Sequence, residues 1–199
     1  MFFNKKDKES KFWNWFVENQ EYYYNQIENV NEKDALFKAL SKKLKKINSD
    51  LVFEFSPIHE NGIRELTISA DGISSCFVDV ENLVKQSPTI QNWKFNAFRQ
   101  PLMNDSLSIT YCNLSIGYSD IFFRYQDGMY GELGIELNIR NYSNLPEYQS
   151  AVYILLDTLI GEYDTTKGID WIEWVKLDET KIDQLLPFVS LRDIVNQKK

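Results

Sequence analysis

Apolar residues recur along the first half of this chain with either a helical or a strand-like period. From residue 8 to 29 and from 36 to 47 they return every three or four positions, which indicates two helices. Alternation of apolar and polar residues through 51–70, interrupted by an Asn-Gly turn, predicts a β-hairpin. Residues 73–84 then show a regular helical spacing, and Pro88 marks the end of the helix that this spacing predicts.

The second half of the chain continues mainly with strands. Residues 93–99 and 107–115 each predict one strand. The alternating segments within 121–139 flank an Asp-Gly pair, which is typical of a hairpin turn. A helix is expected over 146–160, ending at a glycine that can adopt a left-handed conformation, and 169–175 predicts the last strand.

Together these elements predict a single α+β domain over residues 1–199, with flexible tails at 1–10 and 190–199. In each clearly alternating strand the apolar residues share one side and the polar residues the other. We therefore expect a mostly antiparallel sheet of about six to seven strands, with helices packed on one face and a polar face opposite.

Carboxylates are expected on that polar face. Glu54 and Glu65 oppose the apolar residues of the first hairpin, while Glu132, Glu136 and Arg140 oppose those of a later strand. If these strands are neighbours, the carboxylates converge with Arg140 into a ligand-binding site. The alternative is a solvated sheet face without a ligand.

Three further carboxylates cluster around the glycine that ends the helix 146–160, namely Asp157, Glu162 and Asp164. Acids are unfavourable beside the negative end of a helix dipole, so their presence there indicates another use. They could hold Mg²⁺ or Ca²⁺, or two of them could act as acid and base. Solvated acids at a helix end are the alternative. No particular metal is indicated, and the sequence points to no cofactor.

The composition is that of a globular protein, with 43% hydrophobic and 26% charged residues. No apolar run approaches the ~20 residues of a membrane span, and the first residues lack the apolar stretch of a secretion signal. Cys76 and Cys112 fall in a predicted helix and a predicted strand, which indicates two buried free thiols and a reducing compartment. We therefore expect a cytoplasmic protein that does not bind a membrane.

Charge is distributed very unevenly along the chain. Residues 105–165 contain nine acids and two bases, while the remaining 20 acids and 20 bases cancel, so the net charge of −7 arises in this stretch. Binding to a phosphate backbone needs lysines and arginines that displace counterions, and we expect no nucleic-acid partner. A concentrated acidic region favours cationic partners.

The common catalytic signatures are missing from the sequence. The single histidine, His59, falls in a predicted hairpin loop, and the chain has no G-x-S-x-G motif. One histidine and two separated cysteines do not supply a usual zinc site. Phosphate-binding loops, dinucleotide fingerprints and EF-hand loops are also absent. The sequence therefore leaves enzymatic activity open but points away from it.

Three segments of the chain are familiar in combination: ISADG (68–72), W followed by AFRQP (93–101), and LLD followed by GEYD (155–164). Together they resemble a family of uncharacterised bacterial proteins over roughly residues 10–175. That family has no established activity, so the resemblance implies a bacterial cytoplasmic protein and no particular reaction. It places Asp71, Arg99, Asp157, Glu162 and Asp164 in recognisable motifs.

These observations favour a non-catalytic interaction module whose acidic half binds a basic protein partner, for example a toxin that it neutralises. One alternative is a small-molecule-binding protein that uses the polar sheet face. The other is a carboxylate- or metal-dependent hydrolase that uses Asp157, Glu162 and Asp164. The sequence does not specify an oligomeric state.

Overall fold

The computed structural model describes the backbone of residues 6–198 and the side chains of residues 8–198. Two compact units divide the chain, residues 1–98 and 99–199, and each has its own sheet and hydrophobic core. The predicted α+β class is confirmed. The expected sheet is not: within the described residues nine strands form three small sheets, rather than one sheet of six to seven strands.

The first unit combines helices with a three-stranded sheet. Strand β1 is antiparallel to β2, as the predicted hairpin requires, whereas β2 is parallel to β3 because a helix carries the chain back across the sheet. A short 3-10 turn precedes that helix. The elements are α1 (Lys6–Gln26), α2 (Lys33–Leu44), β1 (Val52–Phe55), β2 (Arg64–Ser69), α3 (Phe77–Lys85) and β3 (Trp93–Ala97).

One face of this sheet forms the core of the first unit. Leu66 and Ile68 are fully buried there with aromatic side chains from α1, such as Phe16. Arg64 points to the same face and is only 1% exposed. Its Nη2 lies 3.3 Å from Glu28 Oε1, but its Nε and Nη1 have no hydrogen-bond partner within the described residues. The strand therefore begins with a buried and incompletely paired cation.

The second unit contains a separate hairpin and a four-stranded sheet. The hairpin is β4–β5, and the order in the larger sheet is β8-β7-β6-β9. In that sheet β7 is antiparallel to β6 and parallel to β8, while β9 is antiparallel to β6. The elements are β4 (Ser108–Tyr111), β5 (Leu114–Gly117), β6 (Ile121–Asp127), β7 (Leu133–Ile139), α4 (Pro146–Ile160), α5 (Glu162–Gly168), β8 (Ile169–Lys176), β9 (Leu186–Pro187) and α6 (Leu191–Asn196).

The larger sheet of the second unit is apolar on one face, as the alternation in its strands predicts. Leu133, Ile135, Leu137 and Ile139 are all buried, and they join one core with the apolar side chains of α4. Polar residues of β7 lie on the opposite face. In this sheet the apolar face thus packs against α4.

The two units share a topology that the sequence does not reveal. In each, an antiparallel strand pair is followed by helix and then by a strand parallel to the second member of the pair. In the first unit this is β1-β2-α3-β3, and in the second it is β6-β7-α4-α5-β8. The same ββαβ arrangement thus occurs twice without a repeat in the sequence.

The single strand predicted at 107–115 is instead the hairpin β4–β5, which turns at Cys112 and Asn113. Cys112 has a φ of 54° and is exposed, so the prediction that it is a buried strand residue is wrong. Cys76 is buried as predicted. Both cysteines are free thiols.

The segments expected to be flexible tails overlap a helix at each end of the chain. Residues 191–196 form α6, in which Leu191 and Val195 are buried, so this part of the expected C-terminal tail is folded. Residues from Lys6 onward belong to α1, while 1–5 and 199 lie outside the described residues. None of the helices in the described part is long and apolar enough to cross a membrane.

Candidate functional site

The predicted polar-face carboxylates of the first unit lie on one side of its sheet. Glu54 is the register partner of Thr67, and Glu65 lies two residues before Thr67 on the same strand. Glu65 accepts hydrogen bonds from Lys94 Nζ at 3.0 Å and Asn96 Nδ2 at 2.6 Å. Burial alone would raise the pKa of Glu65, but these two hydrogen bonds outweigh it and lower the pKa. The negative charge of Glu65 is therefore balanced by Lys94 within its own sheet.

His59 lies near this carboxylate, with its Nε2 3.8 Å from Glu65 Oε1. The nearby Ser56 hydroxyl accepts a hydrogen bond from the Glu65 N–H at 2.8 Å and donates one to the Pro57 carbonyl at 2.7 Å. Both interactions are with the backbone of the hairpin, and they give Ser56 a structural role. The histidine thus belongs to a polar group around Glu65.

The other three residues proposed for the polar face occupy different positions. Glu136 is in β7, which belongs to a different sheet from Glu54 and Glu65, so the strands are not neighbours as the predicted convergence required. Glu132 lies in the loop before β7, where its carboxylate accepts the Tyr130 N–H at 3.2 Å. Only Glu136 of these lies within the sheet.

Arg140 follows β7 and is held by two carboxylates. Its Nε and Nη2 pair with both oxygens of Glu179 at 2.7 and 3.2 Å, and its Nη1 lies 3.1 Å from Asp120 Oδ1. Hydrogen bonding to Glu179 is the main reason that the pKa of Arg140 is raised. This guanidinium links the residue that follows β7 to the residue that precedes β6, and its donors are already used in hydrogen bonds.

The face of the larger sheet that bears Glu136 has a regular grid of side chains. We call it the polar face; its residues come from three adjacent strands in register. Across β8, β7 and β6 its rows are Trp171–Gly134–Gln126, Glu173–Glu136–Arg124 and Val175–Asn138–Phe122. The middle row places two carboxylates side by side on neighbouring strands.

Glu136 and Glu173 are direct register partners on parallel strands. Like charges in this relationship are destabilising. Asn138 Nδ2 donates to Glu136 Oε1 at 2.7 Å, which offsets part of that cost. Neither carboxylate forms an ion pair with any side chain that the structure describes.

An exposed tryptophan adjoins the carboxylate pair. Trp171 is two residues before Glu173 on the same face, and it is 39% exposed. Its indole ring lies against Gly134, where an added Cβ would overlap the ring. Glycine is therefore required for the ring to pack this closely against the strand.

The second unit carries most of the net charge, with fifteen acids and nine bases for a net of −6. Many of its acids are neutralised by nearby bases, including Asp105 by Arg192 and Asp127 by Lys198. Three of the acids that form no ion pair with a described residue lie on β7 or β8. The acids without such a pair are Glu132, Glu136, Glu147, Asp170, Glu173, Asp183 and Asp193.

The carboxylates of the 155–164 motif meet at the junction of α4 and α5. Glu162 is fully buried and accepts the Arg99 N–H at 3.1 Å, while the Glu162 N–H donates to the Arg99 carbonyl at 3.0 Å. The Arg99 Nη1 atom lies 3.4 Å from Asp157 Oδ2. Gly161 joins the two helices with a φ of 90°, which favours glycine.

Burial raises the pKa of Asp157 to about 6, with Arg99 opposing the increase and Glu162 adding to it. The third member of the motif, Asp164, lies on α5 and is half-buried. Among the described residues no three His, Cys, Asp or Glu side chains are grouped so that they could hold a metal ion. The motif therefore joins two helices around Arg99, and within the described residues its three carboxylates are not grouped as one metal site.

A cleft of about 340 Å³ lies near β9, and Tyr118, Phe122 and Phe188 contribute to its lining. The Tyr118 hydroxyl is buried without a hydrogen-bond partner among the residues described, and burial raises its pKa to about 12. The one charged side chain of the lining, Asp105, is paired with Arg192. The cleft thus lacks a free charge, unlike the polar face.

On the polar face, Glu136 was predicted from the sequence to lie in a ligand-binding site, whereas Trp171 and Glu173 were not. Their strand was predicted, and alternation within it would have grouped them on one side, but its pairing with β7 could not be inferred. Comparison with family models, with curated proteins and with solved structures gives no match for this chain.

Proposed function

We propose that this protein is a non-catalytic interaction module whose second unit binds a basic segment of a partner protein. The polar face is the proposed binding surface. The observation that carries the proposal is the pair of Glu136 and Glu173, which are register partners without an ion pair to a described residue. Arg124, the register partner of Glu136 on its other side, forms no ion pair with it. An external cation placed on the β8 side of the pair would therefore offset the mutual repulsion of the two carboxylates.

Trp171 supplies the second element of cation recognition. A lysine or arginine side chain placed on the β8 side, between the first and middle rows, would lie beside the exposed indole and the two carboxylates and away from Arg124. Cation–π contact contributes about 0.5–1 kcal/mol at exposed sites, in addition to the charge-assisted hydrogen bonds. Because the Trp171 ring packs against Gly134, it already has a defined position before the partner binds.

The net charge of the second unit supports the same partner class. A surface with excess carboxylates raises the association rate of a basic protein and disfavours an acidic one. Exposed charges are screened over about 8 Å at physiological ionic strength, so binding of this kind is sensitive to salt. The first unit, with fourteen acids and thirteen bases, lacks a comparable excess.

The proposal can be tested with a peptide of about eight residues, the length of an ordinary strand, that has lysine at every second position. Titration calorimetry should show that the wild-type protein binds this peptide and that the double variant E136Q/E173Q binds it about tenfold more weakly, which corresponds to about 1.4 kcal/mol. The affinity should also fall as the salt concentration is raised.

The matched control is E147Q/D183N, which removes two exposed carboxylates elsewhere in the second unit. Because both double variants change the net charge equally, a difference between them reports on the polar face. Equal weakening in both would mean that only the overall charge matters. Absence of binding by the wild-type protein would contradict the proposal as a whole.

A further inference from the structure

Among the strands that the structure describes, β8 has a free edge on the side that faces away from β7. We call this edge the outer margin of β8, and a binding mode can be inferred from it. In the order β8-β7-β6-β9, β8 is an end strand, and in the described residues its only strand partner is β7. The opposite end is closed by β9, which has only two residues and contains Pro187. Short end strands and prolines prevent pairing with another chain, and β8 has neither. Its two other protective features lie at its ends, a bulge at Asp170 and the exposed Lys176.

The regular part of β8 is long enough to pair. Between Ile169 and Trp171 the register shifts, so Asp170 is an extra residue. From Trp171 to Lys176 the pairing with Gly134–Ile139 is then continuous. Six residues in regular extended conformation therefore present one margin away from β7, a typical length for a strand.

The two faces of β8 differ in chemistry. Trp171, Glu173 and Val175 lie on the polar face, whereas Ile172 and Trp174 pack with the core of the second unit. A strand added to the outer margin would lie about 5 Å from β8 and would alternate in the same way. Its residues on the polar side would stand beside Trp171 and Glu173, and the others beside Ile172 and Trp174.

We infer that the basic partner binds as an added β-strand on the outer margin of β8, with lysine or arginine at every second position and β-branched or apolar residues between them. This inference rests on the proposed function and specifies how the partner is held. The main-chain hydrogen bonds supply affinity, and the alternate side chains supply selectivity. Asp170, Glu173 and Glu136, all without an ion pair to a described side chain, give the charge complementarity.

The test uses a peptide of about eight residues in which lysine alternates with valine, and compares it with two backbone-methylated forms of the same peptide. In each form, every second peptide nitrogen carries a methyl group, and the two forms differ in which set is methylated. Side chains and charge are unchanged. Since the nitrogens of a strand alternate between its two margins, only one of the two sets would face β8. Fluorescence anisotropy measures the affinities, and hydrogen exchange reports on the amides of residues 171–176.

We expect one methylated form to bind at least about tenfold more weakly than the parent peptide, while the other binds with nearly the parent affinity. The parent peptide should also slow exchange at those amides of residues 171–176 that face away from β7. Equal binding of all three peptides with unchanged exchange in β8 would overturn strand addition and leave the proposed function intact. Failure of all three peptides to bind would overturn the proposed function together with this inference.

Discussion

The indole of Trp171 lies against the backbone of Gly134, its register partner on the adjacent strand. Glycine within a strand leaves an unfilled space and costs conformational entropy. The ring fills this space and covers the strand at the point where β8 has its bulge. The pair therefore contributes to the sheet and also holds the ring that we propose for cation binding.

This contact predicts the effect of G134A. The new methyl group would overlap the Trp171 ring, so the ring or the strand must move. We expect the free energy of unfolding to fall by about 1–3 kcal/mol, as for other overpacked sites. Urea unfolding followed by circular dichroism measures this change. G168A is the control because nothing lies within 4 Å of an added Cβ there, and a similar loss in both variants would contradict the prediction.

Asp157 predicts a pH dependence of stability. Burial raises its folded-state pKa to about 6, above the ordinary 3.8, so the folded state binds the proton more tightly. The free energy of unfolding should therefore fall as the pH rises from about 4 to 6, by about 3 kcal/mol for this group. In D157N this contribution is missing. Urea unfolding across this range should show that the difference between wild type and D157N changes with pH, and a constant difference would contradict the assignment.

Replacing Arg64 with an apolar residue is expected to increase the free energy of unfolding. The Arg64 guanidinium is buried, and two of its nitrogens have no partner among the described residues. It contacts the Tyr24 ring at 5.8 Å from the centroid, but this offsets only part of its desolvation cost. We expect R64M to raise the free energy of unfolding by about 1–2 kcal/mol. L66A, on the same strand face, should lower it by about 2–5 kcal/mol. If R64M is destabilised as much as L66A, the arginine is better paired than its contacts indicate.

The two cysteines are predicted to differ in reactivity. Cys112 is exposed in the β4–β5 turn, whereas Cys76 is buried. A thiol-reactive dye should label one cysteine quickly in the native protein and both in urea, and C112G should remove the fast phase. Since Cys112 has a φ of 54°, which favours glycine, C112G should also keep or increase the stability. Rapid labelling of two thiols under native conditions would contradict the burial of Cys76.

Local features of the fold could be predicted because they depend on near neighbours in the chain. The face of β7 follows from alternation between Leu133 and Ile139, and the hairpin β6–β7 from the Asp-Gly turn. The turn at Cys112 was missed because it contains neither glycine nor proline, and Asn113 alone is a weaker turn signal. The positive φ of Cys112 is imposed by the hairpin turn and could not be predicted from the residue type.

Nonlocal pairing could not be predicted. Strands β3 and β8 are parallel to their neighbours, and each reaches its partner only after a helical crossover, so no turn fixes its register. For the same reason Glu136 could be placed on a polar face, whereas its neighbour Glu173 could not. The junction around Arg99 likewise brings together residues about sixty positions apart, Arg99 with Asp157 and Glu162.

The repeated ββαβ arrangement bears on how the chain is made at the ribosome. All three strands of the first sheet, up to Ala97, are synthesised before the first strand of the second unit begins at Ser108. The earlier core can therefore close on the nascent polypeptide while the later one is still incomplete. Translation in this order separates two slow steps of parallel pairing that would otherwise compete in a refolding chain.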